Sequence, residues 1–144
     1  MTTLCVHGNA VCLKQAGGVL IRGKSGSGKS DLTLRLISEN AQLISDDQTA
    51  LYSEGGKLFA KAPSEIKGKL EVRGLGIIDF QSTDNIEIIM VIDLVDQGQI
   101  ERLPEPKTVE ILGVILPVVD LYPFEISATV KLRTAFDQIM IKNL

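Results

Sequence analysis

Gly23-Lys24-Ser25-Gly26-Ser27-Gly28-Lys29-Ser30 is the stretch on which the reading of this chain turns. It fits the pattern glycine, four residues, glycine, lysine, serine or threonine. In that pattern the backbone N–H groups of a glycine-rich loop wrap a polyphosphate, the lysine reaches the outer phosphates, and the last hydroxyl binds a magnesium ion. Upstream, Val19-Leu20-Ile21 reads as a short buried strand; downstream, residues 29–37 carry Leu32 and Leu36 at helical spacing. Strand, loop and helix N-terminus in that order suit phosphate binding, because the helix end adds unpaired N–H donors and partial positive charge. The alternative is a glycine-rich surface turn that happens to hold Lys-Ser, and motif and context together weigh against it.

The chain has 144 residues, one domain by length and large enough to bury roughly two-thirds of its unfolded surface. It is 44% hydrophobic and 23% charged, which is ordinary for a globular protein. Tryptophan is absent, and two tyrosines and four phenylalanines offer no evident platform for single-stranded nucleic acid. A net charge of −3 with scattered basic residues also argues against a nucleic-acid partner. No apolar run is long enough for a membrane span, and the N-terminus lacks a basic segment followed by an apolar stretch. Cys5 and Cys12 are the only cysteines. In a domain with such a core they are expected to be two buried free thiols in a reducing cytosol, so a cytoplasmic setting is expected.

Along the chain, Leu4–Val6 and Ala10–Leu13 read as strands around a His-Gly-Asn turn. Gln42-Leu43-Ile44 runs into Asp46-Asp47, and Leu51-Tyr52 and Leu58-Phe59 flank a Glu-Gly-Gly turn as a hairpin. The segment 70–79 mixes apolar residues with glycines and charges, which suggests a bent strand or loop near a site. Ile86 to Val95 reads as a central strand, and residues 109–112 and 114–119 as two more around Gly113. A C-terminal helix follows from Glu125, with Pro123 just ahead of it. The whole is a strand-rich α/β domain, with too many strands for a regularly alternating nucleotide-binding fold.

Phosphoryl transfer needs a phosphate cradle, a metal with its ligands, and a group to manage the proton of the attacking hydroxyl. Gly23 to Ser30 supply the cradle, with Lys29 on the transferring group and Ser30 on magnesium. Asp46-Asp47 and Glu71 are the candidates for the remaining work. Adjacent strand residues face opposite ways, so one member of the acidic pair would face the nucleotide, to hold the metal or to accept a proton. The pair could equally start a turn, and Glu71 and Arg73 could form a surface ion pair. His7, the only histidine, is either a hydrogen-bonded structural residue or a catalytic one. Arg102 is either a solvated charge or a cation aimed at the transition state. One histidine and two widely spaced cysteines exclude a conventional zinc site.

Val6-His7-Gly8, Gly18–Ile21, Gly23–Ser30, Ile44–Asp47 and Leu70-Glu71-Val72-Arg73-Gly74-Leu75-Gly76-Ile77-Ile78-Asp79 follow one another in a way that resembles HPr kinase/phosphorylase. That bacterial enzyme family phosphorylates a serine of the small phosphocarrier protein HPr or of its nitrogen-branch relative. The resemblance is dense from about residue 6 to residue 79 and thin afterwards, and it corresponds to the family's catalytic domain alone, residues 1–144 as a single unit. It implies a P-loop kinase fold related to phosphoenolpyruvate carboxykinase, with ATP and Mg2+ as cofactors, and a homo-oligomer, hexameric in the family. His7 matches an active-site histidine, Lys29 the loop lysine, and Ser30 with Glu71 the magnesium positions. Asp46 and Asp47 match the acidic pair, with Asp47 assigned as the base and Asp46 placed close to the metal. Arg102 matches the later catalytic arginine.

The stretch Leu116–Glu125 departs from the family, whose basic residues and glycine, linked to dephosphorylation, are replaced here by an acidic segment without Arg or Lys. Removing phosphate from phosphoserine calls for cations on the incoming phosphate and the departing group, so kinase activity is expected and phosphorylase activity is not. Two other readings stand beside this one. One is a small-molecule or carboxykinase-like P-loop kinase, although no helical lid is visible. The other is an ATP-binding regulatory module whose chemistry has decayed.

Overall fold

The computed structural model describes residues 2–14 and 17–142. Its core is a nine-stranded sheet, with a separate two-stranded hairpin and two helices. The strands before the glycine loop are β1 (Thr3–His7), β2 (Asn9–Lys14) and β3 (Gly17–Arg22). After helix α1 (Lys29–Ser38) come β4 (Gln42–Ser45), β5 (Gln48–Glu54) and β6 (Lys57–Lys61). The expected bent segment is the hairpin β7 (Lys69–Val72) and β8 (Gly76–Asp79). Then follow β9 (Ile86–Leu94), β10 (Lys107–Ile111), β11 (Val114–Leu121) and helix α2 (Ala128–Lys142).

The strand order is β1-β5-β6-β9-β3-β2-β4, with β11 also on β9 and β10 on β11. The long apolar strand β9 is central, as its run of Ile and Val predicts. It pairs in parallel with β3, in parallel with β11 over residues 91–94, and antiparallel with β6 at its other end. Since β2 is antiparallel to both β3 and β4, strands β3, β4, β9 and β11 all point the same way. Their C-terminal ends therefore release four loops on one edge: the glycine loop after β3, the acidic turn after β4, the connection to β10 after β9, and the Tyr122-Pro123-Phe124 segment after β11. Such an edge is where open α/β sheets bind ligands.

Alternation along the strands divides the interior into two layers. Val19 and Ile21 of β3 with Met90 and Ile92 of β9 meet Leu32 and Leu36 of α1 and Leu132 and Phe136 of α2. Leu20, Ile88 and Val91 face the other way, onto Leu51, Leu58, Leu116 and Val118. Gly17 is necessary here, because a Cβ on it would stand 2.8 Å from Cζ of Phe136. The hairpin β7–β8 packs on α1 through Leu70 and Val72 against Leu34 and Ile37. At the root of the glycine loop, Arg22 donates from Nε to Asp93 Oδ1 (2.7 Å) and from Nη2 to Asp93 Oδ2 (2.9 Å), clamping β3 to β9. The Asp93 hydrogen bond raises the guanidinium pKa further.

One expectation fails. Cys12 is buried, but Cys5 is exposed. Strand β1 lies at the sheet edge, pairs only with β5 and carries no fully buried residue; the Cys5 thiol donates weakly to Gln48 Oε1 at 3.4 Å. Among the described residues neither cysteine forms a disulfide. The C-terminal helix also starts later than Glu125, at Ala128. Among the described residues no helix is long and apolar enough to cross a membrane.

Candidate active site

Gly28 closes the loop and caps α1 in the left-handed region, with φ of 104°. A residue with a Cβ would be strained at that φ and would also meet Cζ of Phe124 at 2.8 Å. No side chain caps the helix, so its first-turn N–H groups stay free for an anion. Lys29 is 6% exposed; its Nζ donates to the carbonyls of Gly23 (2.7 Å) and Lys24 (3.0 Å), holding the loop in a ring. Burial lowers the Lys29 pKa, while the charges of Asp47 and Asp46 work against that shift. Inside the loop the Ser27 hydroxyl is buried and has no hydrogen-bond partner among the described residues.

The acidic pair occupies the β4–β5 turn, so strand alternation does not decide its orientation. Asp46 is buried and accepts from Ser30 Oγ (2.6 Å) and Asn9 Nδ2 (2.8 Å) at Oδ1, and from the Glu71 N–H (3.0 Å) at Oδ2. Asp47 has φ of 69°, which turns its side chain out to the cavity, where Oδ1 lies 2.9 Å from His7 Nε2. Pairing of His7 with Gln48 across β1 and β5 brings the imidazole there.

Asn9 ties the turn to the helix. It is fully buried; Nδ2 donates to Asp46 and to Thr33 Oγ1 (3.0 Å), and Oδ1 accepts from the Asp47 N–H (2.9 Å). Thr33 in turn donates to the Lys29 carbonyl at 2.8 Å. The sequence signal for Asn9 is a lone amide opening the apolar strand Asn-Ala-Val-Cys-Leu.

These elements enclose an open cavity of about 650 Å³ lined by, among others, Ser25, Lys29, Ser30, Asp47, Glu71, Arg73 and Phe124. His7, Lys29, Ser30, Asp46, Asp47 and Glu71 are thus gathered around one space. Arg102 is not; it is exposed in the connection between β9 and β10, outside the cavity lining. Arg73 lines the cavity instead, and it makes no ion pair with Glu71 among the described residues. Phe124 also lines it, and nothing in its sequence context announced that.

The donor set suits a hard cation. Magnesium takes one or two carboxylates and a hydroxyl and completes its octahedron with water and phosphate oxygens. Ser30 and Asp46 are in contact, and Glu71 follows by one backbone hydrogen bond. Among the described residues no cluster of three or more His, Cys, Asp or Glu would hold a metal unaided.

Comparison with known proteins agrees with this geometry. The sequence pattern of the family described as HPr Serine kinase C-terminal domain matches residues 2–132. HPr kinase/phosphorylase of Mycoplasma genitalium is 45% identical over 71 residues, covering 49% of this chain and 23% of that protein. HPr kinase/phosphorylase of Chlorobium phaeobacteroides is 34% identical over 128 residues, covering 80% of this chain and 39% of that protein. The chain therefore spans well under half the length of these relatives. The solved Hpr(Ser) kinase/phosphatase of Coxiella burnetii superposes with a TM-score of 0.84 at 26% identity, covering 96% of this chain and 99% of that one.

Proposed function

This chain belongs to the HPr serine kinase C-terminal domain family, and from that premise we propose that it transfers the γ-phosphoryl group of ATP to a serine of an HPr-type phosphocarrier protein. The observation that carries the reading is the convergence of the phosphate loop, its lysine and the Asp46-Asp47 turn on one cavity.

The nucleotide phosphates lie in the loop, on the N–H groups that precede and open α1, and Lys29 exchanges the Gly23 and Lys24 carbonyls for phosphate oxygens. The serine Oγ of the partner attacks the γ-phosphorus, the bond from that phosphorus to the ADP oxygen breaks, and the serine proton passes to Asp47. His7 holds the Asp47 carboxylate in place for that transfer. Ser30, Asp46 and Glu71 would hold Mg2+, which when bound neutralises charge on the phosphate oxygens. Arg73 adds a cation on the cavity wall. An open cavity suits a protein acceptor, whose own surface excludes water from the reaction.

The reverse, phosphate-driven reaction is not expected, since residues 116–125 offer no Arg or Lys to hold a second phosphate. Self-association, with the hexamer as its family form, and a cytoplasmic setting belong to the same reading, and light scattering of the purified chain tests the first.

The decisive experiment is transfer of label from γ-labelled ATP with magnesium to purified HPr and to its nitrogen-branch relative, with a serine-to-alanine acceptor as control. Label on the wild-type acceptor alone supports the proposal and names the partner. ATP binding without transfer to any protein or small acceptor would replace it with a decayed binding module; label on a small acceptor only would make the chain a small-molecule kinase.

A further inference from the structure

The ring of Phe124 rests with its edge on the phosphate loop and is more than half exposed. We propose that Phe124 is the platform for the nucleoside of the bound nucleotide, stacking on its base; this rests on the ATP reading above and adds the subsite that the loop itself does not provide.

Strand β11 runs parallel to β3 and β9 and ends on the same edge of the sheet, so the chain leaving Leu121 passes beside the loop. There the edge of the Phe124 ring occupies the space a Gly28 side chain would take, 2.8 Å from its Cβ position, and the Pro123 ring abuts the same point at 3.2 Å. Arg35 holds the segment from α1, and Tyr122 steadies the ring from within it. Arg35 donates from Nη2 to the Pro123 carbonyl, and its Nε is paired with Asp31 at 3.1 Å. Tyr122 meets the Phe124 ring edge to face at 5.9 Å. Although so fixed, Phe124 is 57% exposed and, among the described residues, is the only aromatic lining the cavity.

An immobilised, half-bare ring on a cavity wall is an unused flat surface, and leaving it in water forgoes its burial. The polyphosphate end of a nucleotide is satisfied by N–H groups and Lys29, none of which touches a base. Asp47 and Glu71 are anionic and poor partners for a purine face, and Arg73 is engaged at the phosphoryl end in the reading above. Leu34 of α1 adds an apolar side chain to the same cavity lining. Stacking reads any base face, so the platform recognises a nucleoside without selecting adenine over guanine.

The test compares binding of ATP, GTP and inorganic tripolyphosphate to wild type, Phe124→Ala, Phe124→Tyr and Lys29→Ala by calorimetry, with the melting temperature of each apo protein recorded. The expected result is that Phe124→Ala weakens ATP and GTP by roughly tenfold, the scale of one lost base–aromatic stack. Tripolyphosphate affinity should stay unchanged, and Phe124→Tyr should bind as wild type. Unchanged ATP affinity in Phe124→Ala would overturn the proposal. Equal loss of ATP and tripolyphosphate would overturn it as well, reducing the ring to a wedge that shapes Gly28. Failure of the ATP reading looks different: wild type would then bind tripolyphosphate no better than Lys29→Ala.

Discussion

Ser30 Oγ stands 2.6 Å from Asp46 Oδ1, so the hydroxyl proton of the loop serine is committed to a buried carboxylate. The serine's lone pairs are thereby turned away from Asp46 and left for a hard cation. The same carboxylate accepts from Asn9 and from the Glu71 N–H. Asp46→Ala would take the acceptor from three donors, the buried Asn9 Nδ2 and the part-buried Ser30 Oγ and Glu71 N–H, and a buried group left unsatisfied costs about 1–3 kcal/mol. The expected destabilisation is about 2–4 kcal/mol in urea unfolding, with Asp46→Asn costing less because it retains the shape and one acceptor oxygen. A midpoint unchanged in both variants would refute this account of the turn.

Asp47 and His7 separate from Asp46 by what they lack. Both are exposed, and among the described residues their side chains hydrogen-bond only to each other. Asp47→Asn should therefore leave ATP binding and unfolding near wild type while lowering kcat by roughly 10²–10⁴, the usual contribution of a positioned base. His7→Gln should cost less, since it removes the orienting partner and not the acceptor. Equal and mild effects of Asp46→Asn and Asp47→Asn on turnover would remove the base from this pair.

Much of this arrangement was legible in the residues. The glycine pattern, the flanking strand and the helical spacing of Leu32 and Leu36 are local signals, and each corresponds to an observed element. The long Ile/Val run at 86–94 marks a strand paired on both sides. What escaped is set by long-range pairing. Cys5 looks like an interior thiol by composition, yet β1 falls at the sheet edge. Arg102, matched to a family position, lies on the β9–β10 connection outside the cavity lining. Asn9, Arg73 and Phe124 reach the site only because β2 begins, and β7 and β11 end, beside it, which no local pattern encodes.

Lys29 gives a pH dependence with opposite signs for folding and binding. Burial lowers its folded pKa below the ordinary 10.5. Between the folded and unfolded values the unfolded chain holds more protons, so stability of the ligand-free protein rises with pH across that window. Below the folded value the burial penalty is present in full. Binding needs the ammonium, so tripolyphosphate affinity should fall as pH climbs through the lowered value, before a free lysine would titrate. Lys29→Met should flatten the alkaline rise in stability and abolish tripolyphosphate binding. A binding profile that stays level up to the ordinary lysine range would contradict the shift.

The two arginines can be set against each other. Arg73 lines the cavity and Arg102 does not. A cation near a transferring phosphoryl group is commonly worth about 10²-fold in rate, so Arg73→Ala should slow transfer roughly tenfold or more. Arg102→Ala, an exposed surface change, should stay within about twofold. The reverse ranking would show that the β9–β10 connection delivers Arg102 to the site when the partner protein is bound.

Asn9 supplies the test of whether the acidic turn acts as a unit. Its amide orients both aspartates, Asp46 through Nδ2 and Asp47 through Oδ1 and the backbone N–H. Asn9→Ala removes both bonds and leaves the Thr33 hydroxyl with one partner fewer, so a stability loss of about 2 kcal/mol is expected. A stability effect alone would not distinguish orientation of the aspartates from packing. Turnover measured well below the melting temperature does, in a cycle of Asn9→Ala, Asp47→Asn and the double variant. If Asn9 works by placing Asp47, the amide has nothing to place once the carboxylate is gone, and the double variant should be scarcely slower than Asp47→Asn alone. That non-additivity should amount to about 1–2 kcal/mol of coupling in kcat, within the range found for residues sharing one network. Rate losses that simply add would leave Asn9 a structural residue of strand β2 and return the orientation of Asp47 to its own left-handed backbone.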